Sequence, residues 1–272
     1  MYINFRSAKF LVTFFFSVIL TPFSAMADVQ SSEEEDLAFA YYKFREAKRI
    51  VEEKGDCSHS TTSFLGVKNA YQSALRDMDE KLNQASGKTH LLETKVVALY
   101  GLAECYNQRN SRDTAVQYAT ETVDIIRTLL SESPTSLKNI REYIFANERL
   151  GLFAKGLFRN DVAKIAFAES VSFGEQLILI GPAEYEDYRN LIINYVRLTK
   201  VTDDPEVRVK YLKEAACVSM TISTTMPDED RDNLIGGVLF ELYDAQKLAG
   251  KPAQETVTGC KTNPNSTFKE LP

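Results

Sequence analysis

From Ser32 onward, apolar residues return at intervals of three and four. In SSEEEDLAFAYYKFREAKRIVEEKG, Leu37, Tyr41, Phe44 and Ala47 fall on one stripe, the spacing of a helix that buries one face. Ser32 and Glu35 form a capping box at its start, and Gly55 closes it. Strand-like alternation is sustained nowhere, and the run LILIG at 177–181 stops at a Gly-Pro. The pattern predicts an all-α chain.

The breaks between apolar stretches are regular. They fall at Gly87, Pro134, Pro182 and Pro227, at spacings of 47, 48 and 45. Pro182 is followed by Glu184 and Glu186, and Pro227 by Asp228, Glu229 and Asp230. Proline in a first turn with carboxylates beside it reads as a helix start, since the missing N–H had no partner there and the anions face the positive helix end. A second break divides each unit: NQRNSRD, then GLFRND, then TDDP. Asp113 and Asp161 stand 48 apart, each before a helical run, and read as N-caps or first-turn acids. Ala115 and Ala163 keep that spacing, as do Ala119 and Phe167. Each unit is thus expected to be two antiparallel helices, and an all-helical period near 45 points to a solenoid.

Leu102, Ala103 and Tyr106, then Ala115 and Ala119, then Pro134, resemble the tetratricopeptide-repeat signature. Leu150, Gly151 and Ala154, then Ala163 and Phe167, then Pro182, resemble it a second time. The departures are the lack of any Trp, a second helix that is too long, and a replaced turn glycine. The resemblance covers about residues 33–250 and implies a right-handed solenoid of about four antiparallel helix pairs, with period 45–48. DEDRDNLIGGVLFELYDAQKLAGKP would be the closing helix, stopped by Gly250 and Pro252. PAQETVTGC reads as a stub of another helix and KTNPNSTFKELP as a tail. The repeat domain is placed at 28–252 and the tail at 253–272. Gly236 and Gly237 read as a close packing point, internal or between molecules.

The N-terminus changes the address. Arg6 and Lys9 precede the apolar run FLVTFFFSVIL, and TPFSAMA follows, with Ala25 and Ala27 around Met26 in a small-x-small pattern. The run is short for a membrane span, so residues 1–27 read as a cleaved signal peptide, with an uncleaved anchor as the alternative. Export to the periplasm is the expectation and secretion to the medium the second reading. With two cations removed, the net charge moves from −6 to 30 − 38 = −8. That balance argues against a nucleic-acid surface or an anionic membrane as partner, and no membrane insertion is expected after cleavage.

Cys57, Cys105, Cys217 and Cys260 make an even count, which in an exported protein favours disulfides. None forms a CxxC pair, which argues against a zinc knuckle or thioredoxin-like motif. In the implied array, first helices of neighbouring units lie side by side. Cys57 would then neighbour Cys105, and Cys217 could meet Cys260 as the tail folds back. The alternative leaves Cys105 and Cys217 as buried apolar fillers.

Candidate chemistry is sparse. The two histidines, His59 and His90, rule out a histidine-rich metal site, and Cys57 has only His59 as a near base. Glu142 and Glu148 stand among many carboxylates, with no spacing that marks an acid–base pair. No Gly-rich phosphate loop, GxSxG or HExxH occurs, so no catalytic residue, metal or cofactor is assigned. The acidic run at 33–36 reads as a solvated helix start, and Asn265-Ser-Thr is a formal glycosylation sequon.

The resemblance implies a concave face lined by first helices. On it would lie Tyr100, Glu104, Asn107 and Gln108, then Glu148, Arg149 and Lys155, then Asn190, Asn194 and Arg197. Such a face suits an extended peptide or a protein partner; the alternative is that these are ordinary exposed polar residues. A non-enzymatic exported scaffold is therefore the expected function. The alternatives are a small-molecule binder or enzyme on a helical solenoid, and a secreted effector.

Overall fold

The computed structural model describes residues 88–222, 228–251 and 260. The residues expected to form a signal segment and a first helix pair, the acidic run at 33–36, Cys57, His59 and the sequon lie outside them. The described residues form seven α-helices and no strand: α1 Lys88–Gln108, α2 Arg112–Glu132, α3 Leu137–Lys155, α4 Asn160–Ile180, α5 Tyr185–Thr199, α6 Pro205–Thr221 and α7 Asp228–Leu248. The chain is all-α here, and successive described helices pack on each other.

Periodicity explains the core. In α1, Leu92, Val96, Leu99 and Ala103 are buried; in α2, Ala115, Ala119, Val123, Ile126 and Leu130 are. The same three-and-four spacing buries Ile140, Tyr143, Leu150 and Ala154 in α3, and Ala163, Phe167 and Leu177 in α4. Further along, Ile192, Tyr195 and Leu198 of α5 meet Leu212, Ala215 and Ala216 of α6, and Val238, Leu242 and Ala245 of α7 complete the core. Burying a large apolar side chain stabilises by roughly 1.5–3 kcal/mol, so the stripes hold the helices together far more than any single polar contact. Small residues set how close the helices come, since Ala103, Ala115, Ala119, Ala154 and Ala163 have almost no exposed surface.

Local chemistry sets the helix ends. α1 ends with Asn110 at φ 59°, and Ser111 N–H donates to the Tyr106 carbonyl over 2.9 Å. α3 ends the same way 48 residues later, with Phe158 at φ 60° and Arg159 N–H donating to the Ala154 carbonyl over 3.0 Å. α7 repeats it at Gly250, φ 67°, where Lys251 N–H reaches the Gln246 carbonyl at 2.9 Å. These are left-handed C-caps of the Schellman kind. Glycine and asparagine take that backbone easily, whereas Phe158 does so at a steric cost.

At the opposite ends, Ser136 Oγ accepts from Asn139 N–H at 3.3 Å to start α3. Asp204 caps α6, accepting from Glu206 N–H at 2.8 Å, with Pro205 as the first helical residue. One sequence expectation resolves between its two alternatives and another shifts. Asp113 and Asp161 are first-turn acids, because Ser111 and Arg159 hold the N-cap positions. Pro182 precedes α5 rather than opening it, because Glu184 and Asp187 form a reciprocal capping box three residues on.

Candidate partner-binding face

Polar contacts run in a line along α1, α3 and α5, each joining residues 41 to 49 apart in the chain. Between α1 and α3, Lys138 Nζ meets Glu93 at 2.5 Å and Arg149 meets Glu104 at 3.7 Å. The Tyr100 hydroxyl donates to the Glu142 carbonyl at 3.1 Å. Its ring meets Phe145 edge-on at 5.2 Å, and the Arg149 guanidinium covers the Phe145 ring at 5.0 Å. Between α3 and α5, Arg197 pairs with Glu148 at 2.7 Å. Arg141 grips Asp187 through two nitrogens, at 3.0 and 2.8 Å. Beyond α5, Lys200 pairs with Glu241 of α7.

The line exists because each first helix carries its polar residues on the flank beside its apolar stripe. A rotation that buries the stripe leaves those flanks side by side. Five of the expected face residues are brought into contact this way: Tyr100, Glu104, Glu148, Arg149 and Arg197. Asn107 and Asn190 are half-buried and Gln108 is exposed. Asn194 differs, since it has no exposed surface. Its Oδ1 accepts from Arg197 at 3.4 Å, while its Nδ2 has no hydrogen-bond partner. Phe145, Lys138 and Glu93 carry no mark of this face in the sequence, and Glu142 stands there only as one carboxylate among many. Their signal is a charge or aromatic complement about 45 residues away, visible only once the helices are in register.

The electrostatics of this face are those of partial burial. Burial first, then the Glu142 charge, pushes the Tyr100 hydroxyl well above the ordinary tyrosine value. Burial also raises the Glu142 carboxyl, with Lys138 opposing and Glu93 adding to the shift. Lys155 is exposed overall, yet burial of its ammonium first, then the charges of Lys200 and Arg197, pull it below the ordinary lysine value.

A second set of polar contacts lies between first and second helices. The Tyr143 hydroxyl donates to Glu169 at 3.0 Å and accepts from Arg127 at 3.1 Å. In the next pair the Tyr195 hydroxyl donates to Glu175, 48 residues beyond Arg127. Burial raises both tyrosines, and for Tyr195 the Glu175 hydrogen bond adds to the effect.

Cys217 and Cys260 form a disulfide, with Cα atoms 5.3 Å apart. Cys105 is disulfide-bonded as well, its partner lying outside the described residues together with Cys57. Among the described residues no three His, Cys, Asp or Glu side chains gather as a metal site, and no helix is long and apolar enough to cross a membrane.

No protein-family model matches the chain, and no curated protein matches it. Among solved structures, the crystal structure of BtubC (BKLC) from P. vanneervenii is similar at a TM-score of 0.45 and 15% identity. That similarity covers 89% of this chain and 98% of BtubC. It is too loose to transfer an activity or a partner.

Proposed function

We propose that this chain is a non-enzymatic, exported scaffold of the tetratricopeptide-like kind, which binds a peptide or protein partner on the face formed by α1, α3 and α5. The observation that carries the reading is the line of contacts itself. Residues of three successive first helices that lie far apart in sequence share one polar and aromatic strip, with Arg149 stacked on Phe145 and Glu104 beside it. A strip of alternating charges, one aromatic ring and half-buried amides offers an extended chain both hydrogen bonds and a stacking surface. The signal-like residues 1–27 and the disulfide chemistry support an oxidising destination, with the periplasm first.

The test is crosslinking in cells that express the full chain, followed by capture and identification of what stays attached. One specific envelope protein, lost with Arg149→Ala and Glu104→Ala while the melting temperature holds, is the expected result. A captured small molecule, or a partner whose capture ignores both substitutions, overturns the reading in favour of a ligand-binding or catalytic role elsewhere.

A further inference from the structure

α7 has two apolar sides. One, carrying Val238, Leu242 and Ala245, is buried in the core. The other points away from it: Leu239, Phe240 and Tyr243 are 44%, 54% and 49% exposed. Their spacing of three and four sets them on one stripe, and a Cβ placed on neighbouring Gly236 would meet nothing within 4 Å. Among the described helices, α2 to α6 each pack between two neighbours, whereas this stripe of α7 faces no described element.

The disulfide indicates what covers it. Lys251, just past α7, reaches Glu206 in the first turn of α6 at 3.9 Å, so α6 and α7 run antiparallel. Cys217, one turn before the end of α6, is therefore level with the middle of α7. Glu206 and Cys217 are eleven residues apart, which is three helical turns, so both attachments fall on one flank of α6. The chain leaving Cys260 thus starts about level with Leu239 and Phe240, since Cys217 and Phe240 each stand eleven residues, about 16 Å at 1.5 Å per residue, from the Lys251–Glu206 contact. Its next large apolar side chains are Phe268 and Leu271. Eight residues separate Cys260 from Phe268, a reach of up to about 26 Å when extended.

Charge favours the same occupant. α7 carries Asp228, Glu229, Asp230, Asp232, Glu241 and Asp244 against Arg231 and Lys247, a net of 2 − 6 = −4. Residues 261–272 carry Lys261 and Lys269 against Glu270, a net of 2 − 1 = +1. A second copy pairing through its own α7 would set −4 against −4. We propose that residues 261–272 dock on α7, seating Phe268 and Leu271 against Leu239, Phe240 and Tyr243, and that the Cys217–Cys260 bond holds them there. Reduction of that bond then uncovers an apolar surface.

The test is hydroxyl-radical footprinting of the full chain, read at Phe240 and Tyr243, with molar mass followed by light scattering. The chain carrying Phe268→Asp and Leu271→Asp is expected to label several-fold faster at both residues, and the reduced wild type likewise. Equal labelling of the wild type and the Phe268→Asp, Leu271→Asp chain overturns the proposal. So does a dimer whose Phe240 and Tyr243 stay protected after those substitutions, which would make a second copy the occupant.

Discussion

The ring of Phe167 in α4 lies directly on the bare backbone of Gly151 in α3. A Cβ at position 151 would come within 2.6 Å of the Phe167 ring, closer than two carbon atoms pack. Phe167 is fully buried, so its ring has nowhere to swing. Gly151→Ala is therefore expected to destabilise by about 1–3 kcal/mol, outweighing the gain of up to about 1 kcal/mol that alanine brings to a helix interior. Urea unfolding of Gly151→Ala, Phe167→Leu and the pair checks this. The double variant should lose less than the sum of the singles, and a Gly151→Ala protein as stable as the wild type would refute the packing argument.

Asp187 joins two functions that are usually separate. Its Oδ2 accepts from the Glu184 N–H at 2.8 Å, closing the capping box of α5, and both oxygens receive the Arg141 fork from α3. The side chain is 8% exposed, so the ion pair is sheltered from solvent although Arg141 is more open. Asp187→Ala removes a cap and leaves Arg141 with Glu184 alone, for a cost of roughly 2 kcal/mol. Arg141→Ala should cost less, because the cap survives. Chemical denaturation of both variants gives the order, and a larger loss for Arg141→Ala would contradict it.

Much of this architecture is legible in the chain, for stated reasons. Gly151, Ala163 and Phe167 stand out by spacing because close helix approach needs small residues at fixed places, and all three are buried. The break at Pro182 is equally plain, yet α5 starts at Tyr185, because the Glu184–Asp187 box offers the backbone better partners than proline does. Asn194 shows where pattern reading runs out. Its spacing with Asn190 and Arg197 places all three toward one side of α5, but only packing decides how far the core extends around that side, and it swallows Asn194. Pairs such as Glu93 with Lys138 are invisible in one dimension, since their 45-residue separation has meaning only after the helices are set in register.

Glu142 gives a pH dependence of definite sign. Burial raises its carboxyl above the ordinary value in the folded state, so the native protein holds this proton more tightly than the unfolded chain does. Its charge therefore costs stability at neutral pH, and the cost fades as pH falls through the folded-state value. Glu142→Gln should melt higher than the wild type at pH 7, with the difference shrinking as pH falls toward about 4.5, the carboxyl's ordinary value, and gone below it. Melting curves from pH 3.5 to 7.5 test it. A Glu142→Gln protein that melts lower at pH 7 would show that Lys138 attraction dominates over burial.

The Cys217–Cys260 bond closes 43 residues of chain and ties the segment after α7 back to α6. A loop of that length restricts the unfolded ensemble by an amount worth up to about 4 kcal/mol in the chain-entropy account. Cys260→Ser with Cys217→Ser should therefore lower the melting temperature and raise the rate of proteolysis after α7, while α3 and α4 keep their protection. The reason is connectivity: the described helices pack chiefly on their neighbours in the chain, so loosening α7 is felt first by α6 and then more weakly by α5. Hydrogen exchange resolved by peptide measures that gradient. Uniform loss of protection from α1 to α7 would mean the helices unfold as one unit, and the disulfide would then stabilise the whole array rather than its end.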